Sequence, residues 1–256
     1  MEYKTLLKYH SLYSTTKEDI IKREGFENIL KDVVIAPWWS HDFFEPLADK
    51  IEKIGSKVYN IYGKNFEFSF IEMKNVGAPA ILDEVLSLGV TKCKNLVFIG
   101  SAGAIDPNIK IGEIAIPEFS FCGVGTCRYL NENLEDDFEK KDFPSAKLNK
   151  KIINILQKEQ IKYHTVKNYS VDAVFAQFPH IEHFISLGAQ TLEMETSTVF
   201  RCASLAGINA SAIFAISDNA IAKKSLYSGR TAEDKARRQK TKSETIPQIV
   251  VKLFSK

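Results

Sequence analysis

A chain of 256 residues, 45% of them hydrophobic and 26% charged, is long enough to bury a sizeable core within one α/β domain. Its formal net charge of +2 supplies no strong field for nucleic acid or for an acidic membrane surface. No apolar run approaches the length of roughly 18 residues that a membrane span needs, and the polar start MEYKTLLKYHSLYSTTKEDIIK lacks the form of a signal peptide, so a cytoplasmic protein is expected.

Residues 1 to 31 are polar. A helix is predicted from about Thr16 to Lys31, opened by the capping pattern Thr15-Thr16-x-x-Asp19. Asp32 to Pro37, DVVIAP, reads as the first buried strand. Phe43 to Ile54 has helical apolar spacing through Phe44, Leu47, Ala48, Ile51 and Ile54, with Gly55 as its stop. Val58 to Tyr62 and Phe66 to Met73 alternate apolar and polar residues around Gly63-Lys64-Asn65, a hairpin signal. Asn75-Val76-Gly77-Ala78-Pro79 starts a helix whose core face is Ile81, Leu82, Val85, Leu86 and Leu88. Asn95 to Ile99 is the next buried strand, followed at once by Gly100-Ser101-Ala102-Gly103. Small residues after a parallel strand let backbone N–H groups face an anion or a sugar; they also fill tight crossings.

Glu113 to Ile116 predicts a strand that continues extended through Val124. Arg128 to Asp142 reads as a polar, acidic surface excursion. Ser145 opens a helix to about Gln160, Tyr163 to Val171 is a strand, and His180 to Leu187 is a short helix. Thr231 to Phe254 reads as one amphipathic helix, with Ile246, Ile249, Val250 and Leu253 buried and Pro247 as a kink point. Cys93, Cys122, Cys127 and Cys202 show no CxxC spacing and no His-rich partner segment, which predicts reduced packing residues and no metal site. No repeat or low-complexity linker divides the chain, so a single domain over residues 1–256 is expected.

The most informative stretch is Ala189 to Ala220. It predicts strand, helix, strand, with Val199, Cys202, Ala203 and Ala206 at helical spacing and Ala210 to Ile216 almost wholly apolar. Glu195 and Asp218 then fall just past the C-terminal ends of the two strands, where open α/β sheets bind ligands. Each also has a plainer reading: first-turn helix charge for Glu195, a helix or turn cap for Asp218.

Glu193-Met194-Glu195 opening a helix, with an apolar strand ending Ser217-Asp218, resembles the nucleoside phosphorylase and nucleosidase superfamily. Phe98-Ile99-Gly100-Ser101-Ala102-Gly103-Ala104, followed by Ile111-Gly112-Glu113-Ile114, resembles a second block of that family in the expected order. The resemblance implies an α/β fold of three layers, α/β/α, with a mixed central sheet. It implies cleavage of the N-glycosidic bond of a nucleoside, with no metal or organic cofactor, phosphate as a possible co-substrate, and a homo-oligomer. It also assigns roles. Glu193, Met194 and Glu195 hold the ribose hydroxyls, and Asp218 with Ser217 hydrogen-bonds or protonates the base, which favours purines. Gly77 lets the backbone approach the sugar, Phe175 or Phe178 covers the base, and His10 reaches a neighbouring subunit's site. Arg238, near Arg230 and Arg237, is the nearest match to an arginine that pairs with the aspartate; a solvated basic face is the other reading.

The chain departs from this family at the nucleophile site. Trp38 stands where a glycine is expected, and Asp42 and Phe98 where two phosphate-holding arginines are expected. An aspartate repels the dianion that an arginine would clamp. The site is then left to Gly100, Ser101, Ala102 and Gly103, with Asp42 beside them. Three readings stay open: phosphorolysis, hydrolysis by a water that Asp42 activates, and non-catalytic nucleoside binding or storage. Phosphate binding requires another basic residue, such as Arg128 or a neighbour's arginine.

Overall fold

The long apolar runs are strands covered on both sides. In β1 (Asp32–Pro37), Val33 and Ile35 enter one core while Val34 and Ala36 enter another. β5 (Asn95–Ala104) and β10 (Asn209–Asn219) share their side chains in the same way: Ala212 and Phe214 on one face, Ile213 and Ala215 on the other. Period-two sharing between two buried faces leaves no polar face to interrupt the run.

The computed structural model describes residues 1–256. Its 10-stranded mixed sheet also contains β2 (Lys50–Lys53), β3 (Val58–Gly63), β4 (Phe66–Met73), β6 (Ile114–Gly123), β7 (Lys141–Asp142), β8 (Tyr163–Val171) and β9 (Thr191–Glu193), in the order β10-β6-β8-β9-β5-β1-β4-β3-β2, with β7 on β6. β10 pairs with β5 in parallel as well as with β6, so β5, β10, β6, β8 and β9 close a ring. The rest of the sheet opens from it like a wing. One face is covered by α2 (Lys17–Glu24), α3 (Ala78–Leu88) and α6 (Thr196–Leu205), and the other by α4 (Ala146–Lys158) and α8 (Ile246–Phe254). The three-layer α/β/α arrangement with a mixed sheet is therefore present, with one half of the sheet closed on itself.

The hairpin, the strands at 32–37 and 163–171 and the helices after Gly77 and Ser145 lie where the residue patterns put them. Four segments differ. Residues 3–13 form an unpredicted helix, α1 (Tyr3–Tyr13), tied down by the Tyr3 hydroxyl donating to the Leu86 carbonyl at 2.5 Å. The helix expected over Phe43–Ile54 is a short 3-10 turn, His41–Phe44, followed by edge strand β2. Pro46 explains this: it cannot donate the next helical hydrogen bond, and Phe44 instead packs edge-on against Phe68 in the core. The surface excursion at 128–142 turns two acids inward, where Asp137 and Asp142 grip Arg201 of α6. The C-terminal helix runs without a break from Ala232 to Phe254, as the spacing predicts, but it widens midway. α7 (Ala232–Lys240) and α8 are joined by a π turn at Thr241–Thr245. Pro247 has no N–H for the Ser243 carbonyl, and the wider turn absorbs that missing bond. No helix is long and apolar enough to cross a membrane.

Candidate active site

β5 does not stop at Ile99. Gly100-Ser101-Ala102-Gly103 continues it, hydrogen-bonded along β10. The expected anion loop is therefore strand, and alternation turns Ala102 into the core at 1% exposure while Ser101 and Gly103 face a pocket. Near the end of β10 the register shifts between Ile216 and Asp218, which pair with consecutive residues Ala102 and Gly103. This is a bulge, and bulges re-aim side chains. Here the bulge lets Ser217 and Asp218 both line the pocket. The Ser217 hydroxyl donates to the Ala102 carbonyl at 3.3 Å and to Asp218 Oδ1.

Asp218 is held above the ordinary carboxylate range by burial, against the opposing pull of the Ser217 hydroxyl and then of Arg230 and Arg238. The arginine acting most strongly on it is thus Arg230, whose Nη1 donates to the Ser217 carbonyl at 3.3 Å. Arg238 also lines the pocket, but its Nη2 donates to Ser101 Oγ at 3.4 Å.

The Glu-Met-Glu turn divides its two carboxylates between different tasks. Glu193 points down into the protein. Its Oε1 accepts from Asn168 Nδ2 at 2.7 Å and from the Ser170 hydroxyl, and its Oε2 accepts from the backbone N–H groups of Glu195 and Thr196 at 2.7 and 2.8 Å. It caps α6 and closes the ring of strands, so it has no free lone pair to offer a sugar in the way expected from the sequence. Glu195, 6% exposed, keeps one oxygen uncommitted while Oε1 accepts from the Gly77 N–H. Burial, and next the charge on Glu193, push Glu195 up to about 7. Gly77 supplies that N–H from a backbone with φ +97°, a conformation that demands glycine.

Ser101, Gly103, Glu195, Ser217, Asp218 and Arg238 line one pocket of about 300 Å³, at the C-terminal ends of β1, β5, β9 and β10; Gly77 and Arg230 are not part of its lining. Met194, Phe178 and Phe98 add apolar wall. Several expected members are elsewhere. Phe175 is 92% exposed and lies off the wall, because the segment after β8 turns it to solvent; Phe178 takes its place. Asp42 lies outside the pocket, paired at 3.2 Å with His41, whose ring in turn stacks on Tyr59 and meets Glu72. His10 sits on α1 with its ring against the Thr15 carbonyl, and Arg128 binds Asp136; neither lines the pocket. Trp39 and Lys242 also line the wall beside Ser101 and Arg238. Lys242 follows Arg238 by one helical repeat, a spacing visible in the sequence.

A model of the family described as Phosphorylase superfamily matches residues 66–255. The chain belongs to the phosphorylase superfamily. Among curated members, the purine nucleoside phosphorylase DeoD-type of Streptococcus pyogenes serotype M4 (strain MGAS10750) is 28% identical over 131 residues, 49% of this chain and 52% of that protein. The protein of the same name from Hahella chejuensis (strain KCTC 2396) is 25% identical over 127 residues, again 49% and 52%. The chain spans about half the length of the curated relatives it matches. The crystal structure of uridine phosphorylase from Vibrio fischeri ES114 superposes with a TM-score of 0.74 over 89% of this chain and 92% of that one at 18% identity, which shows a shared fold. Glu195 is buried and Asp218 half-buried, and both line this one pocket.

Proposed function

We propose that this member of the phosphorylase superfamily cleaves the N-glycosidic bond of a nucleoside, with purines preferred. The observation that carries the reading is the convergence of Glu195 and Asp218 on one pocket, each with its carboxyl held up by burial. A C1′–N bond breaks through an oxocarbenium-like state. Glu195 accepts from the ribose 2′ and 3′ hydroxyls and fixes the sugar for attack. As the bond breaks, its electron pair moves to the base, and the Asp218 carboxyl passes its proton to the base nitrogen, N7 in a purine. An oxygen nucleophile closes on C1′ and the aspartate regains a proton from solvent. These roles call on no metal or organic cofactor. The exposed aromatic residues Trp38, Phe175 and Tyr227 support a homo-oligomer in which a neighbour covers them; sedimentation at micromolar concentration checks this.

Hydrolysis is the second reading. It is favoured by Phe98, which is 1% exposed and packs edge-on to Phe214 where a phosphate-binding arginine is expected. Free-base release from a panel of purine and pyrimidine nucleosides, with and without phosphate, tests both. The expected result is base release fastest with purines. Binding of nucleosides with no release from any of them would instead assign a binding or storage protein.

A further inference from the structure

His41 has a carboxylate at each of its ring nitrogens. Nδ1 lies 2.7 Å from Glu72 Oε2 near the end of β4, and Nε2 lies 3.2 Å from Asp42 Oδ1 on its own 3-10 turn. The His41 backbone N–H also donates to Glu72 Oε2, at 3.4 Å. The ring is stacked on Tyr59 of β3, with centroids 3.6 Å apart and planes within 12° of parallel. Lys53 Nζ of β2 lies 5.6 Å from the centre of that tyrosine ring. A neutral imidazole has one N–H and one bare lone pair, so it satisfies one carboxylate and turns the lone pair on the other. Only the imidazolium donates to both, and an aromatic face beneath the ring favours the cation as well. The double contact is therefore tied to a proton. When that proton leaves, the shorter and less exposed contact to Glu72 keeps the remaining N–H, and Asp42, 60% exposed, is released.

What this clamp holds is a wall of the pocket. Trp38 and Trp39 line the pocket two residues before it. Trp38 has φ +59°, a costly conformation for a bulky residue. Its N–H donates to the Met73 carbonyl at 2.9 Å and its Nε1 to the Lys74 carbonyl at 2.7 Å. The left-handed turn and His41 thus grip three successive residues at one strand end: Glu72, Met73 and Lys74. Between them, Ser40 Oγ accepts from the Asp42 N–H at 3.2 Å, and Phe43 packs edge-on against Trp39. Such a turn persists only where its neighbours over-determine it. His41 is one titratable part of that support. Lys242 is the other: its Nζ donates to the Trp38 carbonyl at 2.8 Å and lies 5.1 Å from the centre of the Trp39 ring.

We propose that His41 is a positioning residue: as an imidazolium bridging Glu72 and Asp42 it holds the Trp38–Trp39 wall of the pocket, and its deprotonation loosens that wall. Asp42 thus serves the pocket from outside it, through His41. The effect on substrate rests on the nucleoside-cleaving reading above; the effect on the wall does not.

Trp38 and Trp39 are the only tryptophans in the chain, so tryptophan-selective fluorescence reports this wall. The test is a pH titration of that fluorescence for the full natural chain, His41→Gln and Glu72→Gln. The expected result is a one-proton transition between about pH 5 and 8 that His41→Gln removes. Glu72→Gln moves it to lower pH, because it takes away a carboxylate that favours the cation. Glu195 and Lys242 line the same pocket and are shifted to about 7 and about 8, so the variants rather than the midpoint assign the proton. A transition that His41→Gln leaves unchanged overturns the proposal, as does fluorescence that is flat over this range. Should His41→Gln fail to fold by circular dichroism, an unmoved midpoint in Glu72→Gln overturns it instead. With a nucleoside that is cleaved, KM of His41→Gln should exceed that of the natural chain by about fivefold near pH 6, the difference between a charged and a neutral hydrogen bond. The two values converge near about pH 8, and kcat differs less. A KM gap of the same size at every pH marks a purely structural effect and overturns the proposal. Failure to cleave any nucleoside would sink the cleavage reading and leave the fluorescence titration to decide the role of His41.

Discussion

A Cβ placed on Gly103 would lie 3.0 Å from Oδ2 and 3.3 Å from Oδ1 of Asp218, so the carboxylate rests against bare backbone. The backbone at Gly103 is ordinary strand, and alanine can adopt it. Gly103→Ala is therefore expected to disturb the carboxylate rather than the fold. Turnover should fall by about tenfold or more, equivalent to about 1.4 kcal/mol, with the thermal midpoint nearly unchanged. A large fall in the midpoint with turnover intact would mean that the glycine serves packing alone.

Asp218→Asn keeps the size and the hydrogen bond from Ser217 but has no proton to give. Turnover with a purine nucleoside is expected to fall by about 10²-fold or more, the usual scale for a general acid. Steady-state kinetics beside a circular dichroism spectrum measures it. Unchanged turnover would remove Asp218 from the chemistry.

Glu195→Gln separates stability from binding. Burial and Glu193 raise the folded-state value of Glu195 to about 7, above its ordinary value of 4.5. Between those values the folded state binds more protons than the unfolded one, so this group's contribution to stability is full below about pH 4.5 and is lost as pH rises to about 7. Glutamine is neutral throughout and still accepts from Gly77. The variant should therefore gain on the natural chain by on the order of 1–3 kcal/mol at pH 8, with the gap closing near pH 4. Chemical denaturation at both pH values reads this directly. Glu195→Ala, in turn, should weaken nucleoside binding while free-base binding survives.

Gly112→Ala tests how α7 is seated. The substitution meets a positive φ and the Arg238 backbone together. A loss on the order of 2 kcal/mol or more is expected by denaturation. Full stability would show that the helix is seated by other contacts.

The carboxylate pair was legible in the sequence because its chemistry follows from position. An acid just past the end of an apolar strand is placed to face the crevice, and Glu195 and Asp218 both do. The absence of arginine at Phe98 was legible for the same reason. Their division of labour was not: Glu193 and Glu195 look alike in a Glu-Met-Glu string, and only the Asn168 and Ser170 donors beneath decide which one turns inward. Trp38 was read by residue type, as a loss of glycine, although its backbone keeps glycine's left-handed turn. Lys242 stood out less because helical spacing from Arg238 alone does not say whether that face meets solvent or a pocket. Phe43 to Ile54 misled because an edge strand and a broken turn can share a helix's apolar spacing; Pro46 was the correct signal.

The π turn before Pro247 ties the seating of α8 to the placing of Lys242. α8 seals one face of the core with Ile246, Ile249, Val250 and Leu253, and the turn just before it delivers Lys242 to the pocket. A chain that ends early on the ribosome, or is trimmed by a protease before residue 241, loses a wall of its core together with that charge.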